Sequence, residues 1–302
     1  MNISPDFALL NIDKPLGLTS HDVVAIMRRE TRIKKIGHAG TLDPLATGVL
    51  MLCLGQATRL SEYVMGHPKT YEAQVQLGIE TTTYDAEGEI VATNDKLISR
   101  EQFEAVLPQF QGDILQVPPL YSAIKQGGKK LYEIARRGEG DTVELTPRSV
   151  SIYDLQIVEW NFPVALVRVH CSPGTYIRSL AFDIGRALGV GGHLAGLRRV
   201  ASGLFSTENA VSLETLREAI HQDTWQQYLL PPEMALQTFT RLDLNDQQSR
   251  AVQNGVWLDL TEYSLDTAEL LQAYDDGGKF LAILAPVAEQ PGRWKPLKVF
   301  NR

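Results

Sequence analysis

The clearest periodicity along the chain is Tyr71-Glu72-Ala73-Gln74-Val75-Gln76-Leu77, whose strict alternation puts Tyr71, Ala73, Val75 and Leu77 on one face of a strand. Val49 to Leu54 is an unbroken apolar run of strand length, the pattern of a strand buried on both faces. Phe7 to Ile12, Arg148 to Val158 and Val164 to Cys171 read as further strands. Helical spacing recurs elsewhere. Val23, Val24 and Met27 share a face behind Thr19 and Asp22, which stand at capping-box spacing. Short helices are predicted around Ala57 to Val64 and Glu101 to Phe110. Thr175 to Leu188 carries the stripe Ile177, Leu180, Ala181, Ile184 and Leu188, closed by Gly189, Gly191 and Gly192. Lys14-Pro15-Leu16-Gly17, Asp85-Ala86-Glu87-Gly88 and Pro173-Gly174 read as turns.

Strands and helices interleave without the regular alternation of a doubly wound parallel sheet, so the expected class is α+β with a large mixed sheet. Pro231-Pro232 begins a linker, and from about residue 238 short strands separated by Gly and Asp turns predict a small β-rich terminal domain. The expected division is residues 1–237 and 238–302. Within the first, residues 118–145 break the pattern: Pro118-Pro119 opens the segment, Gly127-Gly128 interrupts it, and Lys125, Lys129, Lys130, Arg136 and Arg137 stand against few acids. This reads as an exposed basic insertion, partly mobile.

With 302 residues, 44% of them hydrophobic and 22% charged, the composition is that of a soluble globular protein. The N-terminal MNISPDFALLNID lacks the basic flank and apolar length of a signal peptide, and no apolar run approaches bilayer length, so a cytoplasmic location is expected. Cys53 and Cys171 sit in strand-like apolar surroundings and read as small buried hydrophobes. The histidines show no ligand spacing, so no metal is expected. A net charge of −7 argues against nucleic-acid binding, but the charge is uneven. Residues 28–35 carry five bases and one acid, whereas residues 85–113 carry seven acids and two bases. Local patches decide phosphate attraction, because screening acts over about 10 Å.

The candidate chemistry lies at residues 37–50, GHAGTLDPLATGVL, where Asp43 sits on a glycine-flanked loop fused to the buried strand. Asp-Pro beside Gly is ordinary turn chemistry, but a lone acid on a tight loop held by a core strand is also where reactive side chains are presented. The whole run closely resembles the active-site motif of the tRNA pseudouridine synthases of the TruB type. Three further segments match that family: Lys14-Pro15-Leu16-Gly17-Leu18-Thr19-Ser20; Lys69-Thr70-Tyr71-Glu72-Ala73 with Leu77-Gly78; and Gly174-Thr175-Tyr176-Ile177-Arg178 with Leu197-Arg198-Arg199. The resemblance covers residues 8 to about 235, and the terminal segment is similar in outline to a PUA-like domain.

The resemblance implies a pseudouridine synthase fold, a large mixed sheet flanked by helices with a small PUA-like C-terminal domain. It implies isomerisation of the T-loop uridine, uridine 55, of tRNA without a cofactor. The implied partner is the tRNA T-arm, with no membrane and no obligate protein partner, the enzyme acting as a monomer. Asp43 matches the catalytic aspartate, which could attack C1′ or C6 or take a proton from C2′. Arg178 matches the arginine that pairs with it, a neighbour expected to lower the carboxyl pKa by about 1–3 units and offset desolvation. A cation near a helix start opposes the macrodipole, which itself points to an anionic partner for Arg178. Tyr71 matches the tyrosine that stacks on the target uracil and could help remove the C5 proton. Tyr176 and Leu197 match positions lining the uracil pocket, and His38 the histidine that fills the space left by the extruded nucleotide. The basic insertion, with Lys125, Lys129, Lys130, Arg136 and Arg137, would reach T-arm phosphates. Two other readings use the same residues: a guide-dependent rRNA pseudouridine synthase, and a non-catalytic RNA-binding or RNA-folding protein.

Overall fold

The computed structural model describes residues 3–121, 125, 126, 129, 130, 134, 145–263, 265 and 269–300. In chain order the larger, N-terminal part contains β1 (Phe7–Lys14), α1 (Ser20–Thr31), β2 (Ile36–Ala39), β3 (Ala46–Gly55), α2 (Ser61–Gly66), β4 (Lys69–Leu77), β5 (Ile79–Thr81), β6 (Ile90–Thr93), α3 (Arg100–Val106) and β7 (Gly112–Gln116). There follow the short β8 (Lys125–Gln126) and β9 (Lys129–Lys130), then β10 (Arg148–Asn161), β11 (Val164–Cys171), α4 (Ile177–Ala187), β12 (Gly192–Ser202), β13 (Phe205–Ser206), β14 (Val211–Ser212) and α5 (Leu213–His221). The large sheet runs β14-β1-β3-β12-β4-β11-β10-β7, with β2 added to β3 and β13 to β12. It is mixed: β3 pairs parallel with β12 and β1 parallel with β14, while the other pairs on this path are antiparallel. The expected α+β class with a large mixed sheet is what the chain forms.

The local signals act where the sequence places them. Thr19 caps α1, its hydroxyl accepting from the Asp22 N–H at 3.0 Å while the Asp22 carboxylate accepts from the Thr19 N–H at 2.8 Å. In β4, Ala73, Val75 and Leu77 turn into the core while Gln74 stays exposed. Every residue from Val49 to Leu54 is buried, because α1 and the helix at Leu213–His221 cover one face of β3 while Leu60 and Val64, with Phe280, Ile283 and Phe300 of the last part of the chain, cover the other.

Two apolar clusters divide the helix-covered face. One joins β1 and β3 to α1 and α5 through Leu10, Leu50, Met27 and Leu216. The other joins β4, β10 and β11 to α3 and α4 through Val75, Val167, Phe103 and Ile184. Tyr71 and Leu197 pack against both clusters and so mark the seam between them.

A second sheet, in the order β15 (Thr240–Asp243), β17 (Leu271–Tyr274), β18 (Phe280–Pro286), β19 (Arg293–Val299) and β16 (Leu258–Asp259), is built from the last part of the chain. Its aromatics close the reverse face of β1 and β3: Phe300 stacks on Phe7 with centroids 4.8 Å apart, and the Arg59 guanidinium lies 4.8 Å from the Phe300 centroid while donating to the Val299 carbonyl. Lys298 forms an ion pair with Glu62 at the same boundary. Phe300→Leu is expected to cost about 1–2 kcal/mol, read as a lower urea midpoint at unchanged m.

Lys125 pairs with Lys130 and Gln126 with Lys129 in a two-stranded ladder. Arg136 and Arg137, and most of the insertion, lie outside the described residues, as does the expectation that it is mobile. Cys53 and Cys171 are buried and unbonded. Burial pushes their thiols up to about 12 and about 11, so both stay protonated and inert. No described helix is long and apolar enough to cross a membrane.

Candidate active site

The loop that carries Asp43 joins β2 to β3 and is fixed at several points. The Leu42 N–H donates to the Ser20 hydroxyl at 2.8 Å, and that hydroxyl is 3.1 Å from the Leu42 carbonyl. Gly17 N–H donates to the Pro44 carbonyl at 2.9 Å. The Lys14-to-Ser20 segment is therefore the loop's outer brace. Its inner brace is Arg199, which is 2% exposed. The Arg199 guanidinium donates to the carbonyls of Val49 at 2.7 Å, Gly40 at 3.1 Å and Thr41 at 3.4 Å. Gly48 permits this closeness: its φ is +97°, and a Cβ there would stand 2.2 Å from the Arg199 carbonyl oxygen.

Arg178, in the first turn of α4, meets Asp43. Its Nε lies 3.1 Å from Asp43 Oδ2, and a second nitrogen lies 3.3 Å from Asp85 Oδ2. It also donates to the Tyr121 carbonyl at 2.9 Å. The Arg178 and Asp85 side chains are only 8% and 4% exposed, whereas Asp43 keeps 39% of its side chain open. One cation is thus buried between two carboxylates, and only one of the two is open to solvent. Gln116 seats the start of α4, accepting from the Tyr176 N–H at 2.7 Å and donating to the Tyr176 carbonyl at 2.9 Å.

The expected electrostatics need a correction. Desolvation raises the Asp43 carboxyl above its ordinary range; Arg178 pulls it down, Asp85 pushes it up and Lys14 pulls it down. The balance is upward because burial outweighs the pull of Arg178, and Asp85 adds to the rise. Lys14 is itself buried, donates to the Leu18 carbonyl at 2.6 Å and to the Pro15 carbonyl at 3.0 Å, and is pushed down to about 8 chiefly by burial. The phenol of Tyr71 is raised by burial, while Arg199, hydrogen-bonded to it, pulls the other way.

Leu197 stands beside Ala46 in the parallel β3–β12 pair, so it shares the seam with Tyr71 at the base of the Asp43 loop. His38, on β2, packs edge-on against His21 with centroids 5.0 Å apart, and its Nδ1 finds no hydrogen-bond partner among the described residues. Burial, with His21 and Arg199 nearby, pushes His38 down to about 4. It is neutral through the physiological range, and its expected NMR titration midpoint is near 4. Since its ordinary value is higher, the unfolded chain takes up the proton first. His38 therefore costs stability as pH falls from about 6.5 towards 4. A groove lined by Asp13, Lys14, Thr47, Arg198, Arg217 and His221 runs beside the cluster and shares Lys14 with it.

Residues 28–177 match the family model described as TruB family pseudouridylate synthase, N-terminal domain, and residues 178–237 match the tRNA pseudouridylate synthase B C-terminal domain. The chain belongs to the TruB family of tRNA pseudouridine synthases. The tRNA pseudouridine synthase B of Dehalococcoides mccartyi is 43% identical over 295 residues, covering 97% of this chain and 96% of the relative. That of Geobacillus thermodenitrificans is 44% identical over 303 residues, covering 97% and 99%. Among solved structures, a chain of a Cbf5-Nop10-Gar1 complex superposes with a TM-score of 0.76 at 26% identity, over 98% of this synthase and 85% of that chain. A chain of an H/ACA RNP bound to a substrate RNA containing 2′-deoxyuridine gives 0.74 at 25%, over 98% and 86%.

The synthase is thus a tRNA-modifying, RNA-binding isomerase with the pseudouridine synthase fold. The structure brings Asp43, Arg178, Tyr71 and Leu197 to one seam, with Tyr176 at the start of the Arg178 helix and His38 on the strand before the loop. Of the five bases singled out in the insertion, Lys125, Lys129 and Lys130 are described as backbone strand, and Arg136 and Arg137 lie outside the described residues. Sequence reading missed Asp85, taken as a turn residue, and Arg199, taken only as part of a motif. No local pattern marks either, since the partners of both lie on other elements.

Proposed function

We propose that this synthase converts uridine 55 in the T-loop of tRNA to pseudouridine, with Asp43 as the reacting carboxylate. The observation that carries the reading is the Asp43–Arg178–Asp85 cluster: an acid open to solvent, held by an arginine that is itself buried. The N1–C1′ bond breaks, the base turns, and C5 joins C1′, with no net oxidation or group transfer. Attack at C1′, attack at C6 and removal of a C2′ proton all require the ionised acid. Arg178 keeps it ionised against desolvation and fixes its direction.

A stacked nucleotide hides C1′ and C5, so the target must be swung out, at a cost of a few kcal/mol that is least for a loop. Tyr71, at the seam, offers a ring to the extruded uracil, and such a stack contributes about 1–3 kcal/mol. Leu197 and Tyr176 complete an apolar wall, and neutral His38 can enter the vacated space without placing a charge among bases. Burial keeps the Tyr71 phenol protonated at neutral pH, so it can take the C5 proton only after giving up its own.

Residues 1–237 would form the catalytic domain and 238–302 a PUA-like domain gripping the tRNA, with Lys125, Lys129, Lys130, Arg136 and Arg137 reaching T-arm phosphates. The enzyme would work as a cytoplasmic monomer without an obligate partner. Incubating purified protein with a T-arm stem-loop, and no cofactor or guide RNA, should yield pseudouridine at one T-loop position. Activity only with a guide RNA and added proteins would favour the second reading, for which the likeness to the chain of the Cbf5-Nop10-Gar1 complex speaks.

A further inference from the structure

Tyr84 holds a left-handed backbone, φ +62°, a rare conformation for a bulky residue that persists only where its surroundings enforce it. Its ring lies flat on Phe182, with centroids 4.0 Å apart and planes 19° apart. The contact matters because of what flanks it. Asp85 follows Tyr84 directly, and Phe182 stands one turn after Arg178 on the same face of α4. The helix therefore grips two consecutive residues of the turn with two side chains a turn apart, the guanidinium on Asp85 and the ring on Tyr84. The backbone completes the clamp: Leu194 N–H donates to the Tyr84 carbonyl at 3.0 Å, and the Thr83 hydroxyl donates to Asp85 Oδ1 at 2.5 Å. The Arg186 guanidinium lies 5.4 Å from the Phe182 centroid.

We propose that Tyr84 is a positioning residue of this synthase, its stack on Phe182 pinning the turn so that Asp85 stays on Arg178 and draws part of that cation away from Asp43. The inference rests on the reading that Asp43 is the reacting acid. The groups facing Asp43 are Arg178 from α4, Asp85 and Glu87 from the turn, Lys14 from β1 and Tyr71 from β4. Without the stack the turn relaxes out of the left-handed region and Asp85 withdraws. Asp43 then loses a like charge and gains the whole of Arg178, so it ionises at lower pH. Arg178, left with Asp43 and the Tyr121 carbonyl, loses the second carboxylate that fixes its aim.

The test compares Tyr84→Ala, Tyr84→Gly and Tyr84→Phe in the full chain, with kcat and KM on a T-arm stem-loop measured between about pH 4 and pH 9. Tyr84→Ala should lower kcat about 10–100-fold at unchanged KM and move the acid limb of kcat to lower pH. Tyr84→Gly, which suits the positive φ but lacks the ring, should match Tyr84→Ala, and Tyr84→Phe should restore wild-type behaviour. A wild-type kcat and acid limb in Tyr84→Ala would overturn the proposal. So would a Tyr84→Gly variant that behaves as wild type, or a rise in KM alone, which would make Tyr84 an RNA contact. Carbon NMR of the Asp43 carboxyl in the free protein keeps this separate from substrate choice: its midpoint should fall in Tyr84→Ala, and an unmoved midpoint refutes the clamp whatever RNA the enzyme accepts. Absence of T-loop product from the wild type would instead count against the functional reading.

Discussion

Asp43→Asn is expected to reduce pseudouridine formation on the T-arm by roughly 10⁴-fold or more, the scale on which removal of a reacting group is felt, with RNA affinity retained. Asparagine keeps the shape of the side chain on a loop already fixed by Ser20, Gly17 and Arg199. It removes the negative charge that every route to glycosidic cleavage uses. The same substitution should raise thermal stability at neutral pH. The Asp43 carboxyl is raised above its unfolded value, so the folded state holds its proton more tightly than the unfolded chain does. The stability this confers is full below the unfolded pKa and is lost as pH rises through the folded one. At pH 7 the ionised acid is thus a burden that asparagine relieves, and the gain should vanish below about pH 4. A parallel loss of activity and stability at pH 7 would instead mark Asp43 as a structural turn residue.

Arg178→Met should lower kcat about 10³-fold and destabilise the fold by about 3–5 kcal/mol at pH 7, because it leaves two carboxylates facing each other without their cation. Both effects have a predictable pH dependence. Without Arg178 the first proton is bound more tightly, so the acid limb of kcat should move to higher pH, opposite to Tyr84→Ala. The stability deficit should shrink as pH falls and the pair protonates. Urea titrations at neutral and acid pH read the second effect directly. A deficit independent of pH would mean that Arg178 acts through packing alone.

Much of the fold was legible wherever one residue's environment depends on its near neighbours. The alternation in β4, the apolar run of β3 and the Thr19 cap each needed only local periodicity, and each formed. β12 was not read as a strand. Gly192 and Gly196 interrupt its apolar pattern and Arg198-Arg199 looks solvated, yet this strand joins the two halves of the sheet. Arg199 is buried because carbonyls of residues 40, 41 and 49 replace its water, a compensation written nowhere in its own segment. Arg178 did carry a signal, a cation at the positive end of a helix, and the structure supplies two anions where one was expected. Burial of Asp43 is the main reason its carboxyl ends above the ordinary range; Arg178 lowers it as expected without offsetting that burial, and the second anion adds to the rise. Asp85 itself reads as an ordinary turn acid until the helix bearing Arg178 is laid against it.

The most direct measurement of the central claim is a structure of Asp43→Asn bound to a T-arm stem-loop. The target uridine should be swung out of the loop, its base on the Tyr71 ring and its C1′ or C6 about 3–3.5 Å from the residue 43 side chain. A uridine still stacked within its loop, or lodged away from Tyr71 and residue 43, would contradict it.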